Sequence, residues 1–387
     1  MALCLLVAHT FPPVLGGSAA VYAALARHAA GEIAVLTSRR DHRTGEERAD
    51  WREADAAAPH PVHRLGLVRP PLAGGLAATL AWAPRAAWLA ATVARLAEAH
   101  RVRAVCLCDD ETVGWLVPFV RKTLGLRSLV YCHGDDLVQT DQRAIARRRR
   151  HLAAAHAVVA ASAFAAQRLE TAYGVPQERI VQIPNGVDLD RFRPGTPAAG
   201  LASALGLAGR RVILAATRLV PRKGVDRLIA ALPAVLAAVP DAMLAVAGEG
   251  PQRAQLEAMA RGLPVRFLGA QPAERMPDLY RLAEVVALPN RFEPGEADGI
   301  PMTLLEAQAC GRPVVAGRAG GSPEAVADGE SGLLVDGEDP AAIAAALIRL
   351  LVDPALAARL SAGALAVSSG RDWRSRTAAF LSLCRGA

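Results

Sequence analysis

Residues Arg291 to Glu324 read RFEPGEADGIPMTLLEAQACGRPVVAGRAGGSPE. An acidic loop closes on Asp298-Gly299, and a helix-forming run carrying Glu306 follows. Gly311 ends that run, Pro313–Ala316 is a short apolar strand, and Gly320-Gly321 turns the chain again. The pattern supplies carboxylates at fixed offsets around the start of a helix. Short carboxylates accept hydrogen bonds from sugar and ribose hydroxyls, and the first N–H groups of a helix are open to phosphate.

Working outward, the chain has 387 residues, a length that suits two domains. Hydrophobic residues make up 52% and charged residues 21%, so two cores can be buried and disorder is excluded. Net charge is +7, and Lys122 and Lys223 are the only lysines; any lysine role falls on one of these two. Aromatics are only 4%, which argues against stacking on nucleic-acid bases. The six cysteines lie mostly in strand-like apolar runs, and Cys106-x-Cys108 lacks the spacing and second pair of a zinc knuckle. They read as buried, reduced thiols, and the expected location is cytoplasmic. Leu3–Ala8 is too short for the core of a leader and reads as a first strand. Pro71–Ala94 is nearly all apolar, but Pro84 and Arg85 interrupt it. It is read as core or membrane-resting helices rather than a span.

In the first half, strands are expected at Leu3–Ala8, Ile33–Thr37, Val62–Leu67, Ala104–Cys108, Ser128–Cys132, Ala157–Ala160 and Ile180–Ile183. Helical runs such as Ala19–Ala30 and Thr92–His100 fall between them. Alternation of this kind means parallel βαβ units, with ligands at the carboxyl ends of the strands. Gly16-Gly17 follows the first strand at a helix start without forming a dinucleotide fingerprint. Ser38–Pro61, with Arg39, Arg40, Arg43 and Arg48, reads as an irregular loop beside the first helix, either solvated and variable or shaping acceptor binding. Tyr131-Cys132-His133-Gly134-Asp135-Asp136 sets a histidine at a strand's carboxyl end. Arg147–Arg150 reads as the solvated face of a helix, with a lipid-headgroup contact as the sharper alternative. The turn-rich Pro184-Asn185-Gly186-Val187-Asp188 places a domain boundary near residue 190.

The second half restarts the pattern, with strands expected at Val212–Ala216, Ala242–Ala247, Val265–Leu268, Val285–Leu288, Pro313–Ala316 and Gly332–Val335. The loop after the first of these carries Arg218 and Lys223 into a helix near Val225, an arrangement suited to a diphosphate. Gly248-Glu249-Gly250 turns the chain after the next strand. Phe267 and Leu268 end the third, where backbone groups can meet a base. The fold class is α/β, two Rossmann-like doubly wound domains at 1–190 and 191–368. The terminal helix, 369–387, is expected to cross back to the first domain.

These motifs, in this order and spacing, resemble the retaining glycosyltransferases of the GT-B fold in the large family 4. The resemblance covers essentially the whole chain. It implies a nucleotide-sugar domain facing an acceptor domain across a cleft. It implies that Arg218 and Lys223 bind the diphosphate, that Asp298 and His133 bind the donor sugar, and that Glu306 binds the ribose hydroxyls. Gly299, Ile300, Met302 and Thr303 supply the adjoining donor contacts, and Gly17 approaches the phosphate. Gly248, Phe267 and Leu268 line the nucleotide end. No metal or cofactor is implied, because fixed cations and helix dipoles take the charge.

Two positions depart from the family pattern. Asp298 stands where glutamate is usual, which leaves its sugar contact to a bridging water or to Glu296. Pro301 stands where glycine is common and removes one backbone donor. Gly320-Gly321-Ser322-Pro323-Glu324 resembles the mannosyltransferase-like branch. The expected reaction is transfer of a hexose, from GDP-mannose or a UDP-hexose, to a hydroxyl acceptor. That acceptor is lipid-linked at the inner membrane surface, or another cell-envelope glycan. A glycoside phosphorylase on the same fold and a non-catalytic sugar-nucleotide-binding partner are the competing readings.

Overall fold

Short runs of three to six residues, most of them apolar and with helices between them, form the strands of two parallel sheets in this computed structural model. It describes residues 2–14, 16–41, 45–47, 50–66, 76–108 and 110–386. Arg43, Arg48, Leu67 and positions 71–75 of the apolar segment lie outside them. The chain divides into two units, Met1–Asn185 with Trp373–Ala387, and Gly186–Asp372.

The first unit holds β1 (Cys4–Ala8), β2 (Ile33–Ser38), β3 (Val62–Leu65), β4 (Ala104–Leu107), β5 (Arg127–Cys132), β6 (Ala157–Ala160) and β7 (Ile180–Gln182). Their order across the sheet is β3-β2-β1-β4-β5-β6-β7, all parallel. β1, β2 and β4 are buried at every position, as strands covered on both faces must be. The second unit holds β8 (Arg211–Ala216), β9 (Ala242–Ala247), β10 (Val265–Gly269), β11 (Val285–Leu288), β12 (Val314–Gly317) and β13 (Gly332–Val335). Their order is β10-β9-β8-β11-β12-β13, again parallel. Each sheet reverses its winding once, between β1 and β4 and between β8 and β11. Such switch points open a crevice at the carboxyl ends of the strands.

The helix Trp373–Arg385 belongs to the first unit. It packs on the helix Gly17–His28 and buries Trp373, Phe380, Leu381, Leu383 and Cys384. Phe380 meets the Tyr131 ring at 6.4 Å, and Arg385 pairs with Glu32 at 2.7 Å. All six cysteines are buried, and none forms a disulfide.

Three local expectations are corrected. The apolar segment, expected as more than one helix, forms over its described residues a single helix, Leu76–His100, that runs through Pro84. Proline removes a single hydrogen bond there, while Leu89, Val93, Leu96 and Ala97 hold the following turns in the core. The Ser38–Pro61 stretch is not wholly irregular, because Trp51–Ala56 is helical. Buried Arg64 fixes that helix by bonding Asp55 at 2.8 Å and the Ser38 carbonyl at 3.0 Å. Nor is the arginine run a uniform solvated face. Arg148 is buried over the Tyr173 ring, and Arg149 bonds the Ala172 carbonyl at the end of the helix Ala163–Thr171.

Candidate active site

In the second unit the loops after β8 and β11, the two strands at the switch point, carry the charged residues. The β8 loop ends in a short turn at Pro221–Lys223 and Gly224, whose φ is 70°. A Cβ on Gly224 would lie 2.0 Å from the Pro289 carbonyl oxygen. Only glycine lets the two loops approach this closely. Lys223 Nζ donates to Asp298 Oδ1 at 2.8 Å, and Arg222 Nε donates to the same oxygen at 3.0 Å. Arg222 also reaches Glu296 Oε2 at 2.5 Å. Asp298 is 8% exposed, and its Oδ2 has no hydrogen-bond partner. Burial alone would raise the Asp298 carboxyl. Lys223 and Arg222 overcome that and hold it below the ordinary carboxylate range. Burial, with repulsion from Arg222 and Arg218, pulls Lys223 down, and Asp298 opposes the pull. The carboxylate accepts from both cations, so the cluster is ionised at neutral pH. Arg218 lies half-buried on the same loop.

Backbone contacts hold the acidic loop in place. The Asp298 carbonyl accepts from the Gly321 N–H at 3.1 Å. A Cβ on Gly320 would sit 2.0 Å from that carbonyl oxygen, and one on Gly321 would sit 2.7 Å from the Gly299 carbonyl carbon. Asn290 at the end of β11 donates to the Ala319 carbonyl at 3.0 Å and accepts from the Ser322 hydroxyl at 2.9 Å. The glycine pair therefore supports Asp298 and Gly299 from behind.

The helix Met302–Ala309 starts at Pro301 with no side-chain cap. The N–H groups of Met302 and Thr303 belong to its first turn and have no intrahelical acceptor. The Thr303 hydroxyl donates to the Ala216 carbonyl at 2.7 Å, which pins this turn to the end of β8. Ile300 and Met302 turn their side chains into the core, so their backbone is what they can present. Glu306 lies one turn further on. Tyr280 Oη donates to Glu306 Oε2 at 2.7 Å. Burial pushes the Glu306 carboxyl up to about 7, against the opposing effects of the Tyr280 bond and of Arg191.

Gly248 has a φ of 147°, its N–H bonds the Gly269 carbonyl at 2.8 Å, and a Cβ there would lie 1.8 Å from the Thr217 carbonyl oxygen. Gly248 thus braces the loop that bears Arg218. Phe267 lies under the Arg253 guanidinium at 4.8 Å, and the Leu268 carbonyl accepts from Gln271 at 2.6 Å.

His133 and Gly17 lie in the first unit. Tyr22 Oη donates to the Cys108 carbonyl, so its oxygen accepts from His133 Nε2–H at 2.8 Å. That assigns the tautomer and leaves Nδ1 as the acceptor in the neutral ring. Asp136 accepts from the N–H groups of His133 and Gly134, which fixes the turn. Gly17 opens its helix, and a Cβ there would meet no atom within 4 Å.

The second unit brings Arg218, Lys223, Asp298, Gly299, Ile300, Met302, Thr303 and Glu306 together around two adjacent loops and one helix start. Gly248, Phe267 and Leu268 lie along β9 and β10 on the side of Arg253. Sequence reasoning did not single out Arg222, Tyr280 or Asn290. The signal for Tyr280 was slight: a tyrosine within an apolar helical run needs a partner for its hydroxyl.

Comparison with known proteins gives the same class. A family model described as Glycosyl transferases group 1 matches residues 210–353, and one described as Glycosyltransferase Family 4 matches residues 15–191. The GDP-mannose-dependent alpha-(1-6)-phosphatidylinositol monomannoside mannosyltransferase of Mycolicibacterium smegmatis is 37% identical over 308 residues, 77% of this chain and 80% of that protein. The D-inositol 3-phosphate glycosyltransferase of Xylanimonas cellulosilytica is 37% identical over 283 residues, 70% of this chain and 66% of that one. Among solved structures, Anabaena HepE in complex with UDP superposes with a TM-score of 0.80 at 21% identity, over 100% of both chains. Sucrose-phosphate synthase from Thermosynechococcus elongatus gives 0.77 at 22% identity, over 100% of this chain and 99% of that one. Two Rossmann-like domains with these matches define a glycosyltransferase of the GT-B fold. The chain belongs to glycosyltransferase family 4, group 1.

Proposed function

We propose that this enzyme transfers mannose from GDP-mannose to a hydroxyl of a lipid-linked acceptor, with retention of anomeric configuration. The observation that carries the reading is the meeting of Lys223 and Asp298 at the uncapped start of the helix that bears Glu306. Lys223, Arg218 and the helix N–H groups take the charge that develops on the leaving diphosphate, without a metal ion. The unpartnered Oδ2 of Asp298 accepts from a sugar hydroxyl, and Glu306 accepts from the ribose. His133 bonds the donor sugar, and Gly17 leaves space for the phosphate. The leaving phosphate oxygen takes the acceptor's proton on the face it departs from.

The choice of mannose and of a phosphoinositide acceptor is supported by the names of the mycobacterial and corynebacterial relatives. Contact with the inner membrane surface is supported by the helix Leu76–His100, which exposes Trp88 at 53% beside exposed Arg85. Among the described residues no single helix is long and apolar enough to cross a membrane.

The test is product analysis with GDP-, UDP- and ADP-sugars in the presence of EDTA, against phosphatidylinositol monomannoside and inositol phosphate. An α-mannosyl lipid formed from GDP-mannose is expected. Transfer only from another nucleotide, only to inositol phosphate, only with added metal, or with inversion would refute the corresponding part. Lys223→Ala should abolish transfer in a folded protein, and near-normal turnover would remove the diphosphate assignment.

A further inference from the structure

Tyr280 is almost fully buried, at 1% exposure. It sits on the helix Met276–Leu282 and reaches across to the helix Met302–Ala309. Its ring stands edge-on to Phe192, with centroids 5.9 Å apart, so the phenol cannot swing aside without unpacking the core. Its hydroxyl has one acceptor, Glu306 Oε2 at 2.7 Å, and among the described residues Glu306 Oε1 takes no hydrogen bond. The terminal torsion of a glutamate is broad. An untethered carboxylate would present its oxygens over a wide arc.

We propose that Tyr280 is a positioning residue for the donor: it grips one oxygen of Glu306 so that the other is aimed at the ribose diol. The inference rests on the reading of Glu306 as the ribose acceptor. It deepens that reading by adding a residue that touches no substrate. A hydrogen bond to the ionised form also favours that form, and it opposes the rise that burial imposes. The titratable and charged groups around Glu306 are Tyr280, Arg191 and, on its own helix, Cys310. Burial pushes the Cys310 thiol up to about 11, so it stays neutral. Tyr280 is thus the neutral donor and Arg191 the cation that hold the rise of the Glu306 carboxyl to about 7.

The experiment is calorimetric titration of the full chain with GDP and with 2′,3′-dideoxy-GDP from pH 5.5 to 8.5. Tyr280→Phe keeps the ring and deletes the hydroxyl. It should weaken GDP roughly five- to tenfold at pH 7.5, about the net effect of one ordinary hydrogen bond, since the lost bond acts on the ligand only through Glu306. It should also move the pH midpoint of GDP binding upward and leave the dideoxy ligand unchanged. Glu306→Gln should erase discrimination between the two ligands, and Tyr280→Phe added to it should cost nothing further. Equal weakening of both ligands by Tyr280→Phe would make the residue merely structural and overturn the proposal. So would an unchanged GDP affinity and midpoint. A wild-type protein that binds GDP no better than the dideoxy ligand would remove the ribose reading itself, and the Tyr280 inference with it. That signature is seen in the unmutated protein.

Discussion

Asp298 and Glu306 lie on one loop-and-helix segment, and their surroundings drive them in opposite directions. Asp298 is held ionised by two cations, while burial pushes Glu306 up to about 7. Removing the Asp298 carboxylate takes Lys223's counter-ion away and leaves Arg222 with Glu296. Breaking a buried pair costs about 3 kcal/mol, so Asp298→Ala should lower the melting temperature of the ligand-free protein by several degrees. A melting curve like the wild type's would mean that the cluster is solvated. Glu306 works the other way. Its carboxyl is raised from 4.5 to about 7. Its protonated form therefore stabilises the fold below about pH 4.5, and that contribution is lost as pH rises through 7. Above pH 7 the enzyme carries the full cost of an ionised, poorly solvated carboxylate. Glu306→Gln should therefore stabilise the protein at pH 8 by about 1–3 kcal/mol, do little at pH 4.5, and weaken nucleotide binding. Melting scans at the two pH values check the sign, and equal shifts at both would contradict it. A site residue that costs stability is a usual consequence of placing a charge for a ligand.

At the scale of elements, Gly320-Gly321 carries the loop that bears Asp298. Gly320 has a φ of 59° and lies against the Asp298 carbonyl. A methyl group there would meet backbone rather than a flexible side chain. Gly320→Ala should displace Asp298 and Gly299, cost about 1–3 kcal/mol in stability, and weaken nucleotide binding. Gly17→Ala adds a methyl group in open space and should leave the ligand-free melting temperature unchanged while weakening phosphate contact. Paired thermal and binding measurements on the two variants separate packing glycines from ligand-facing ones. Neither role can be told from the dipeptide, because Gly16-Gly17 and Gly320-Gly321 look alike in sequence. The strands could be read closely. All thirteen fall within a residue or two of their expected limits; most are buried parallel strands, which leave an apolar run, while β3 and β10 carry Arg64 and Arg266. The helix runs on through Pro84 because its packed carboxyl half overrides local propensity. Tyr280 and Glu306 are 26 residues apart, and no local pattern couples them.

At the scale of the whole molecule, the chain returns to its first unit at Trp373 after building the second. The two crossings are tied where they leave the second unit. The Val187 N–H donates to the Arg371 carbonyl at 2.7 Å, and Val187 bridges Asp372 as a parallel pair. The returning helix contributes Trp373 and Phe380, at 2% and 0% exposure, to the core of the first unit. Each such side chain is worth about 3–5 kcal/mol when removed from a core, and a domain's total stability is about 5–15 kcal/mol. Ending the chain at Asp372 should therefore unfold the first unit. The second unit's own cores and the residues proposed to bind the donor there lie within Gly186–Asp372, so that unit should keep its own melting transition. Calorimetry of the shortened chain with and without GDP should show one surviving transition, raised by the nucleotide, and no transfer activity. If both transitions survive at their original temperatures, the terminal helix is an accessory to the first unit rather than part of its core.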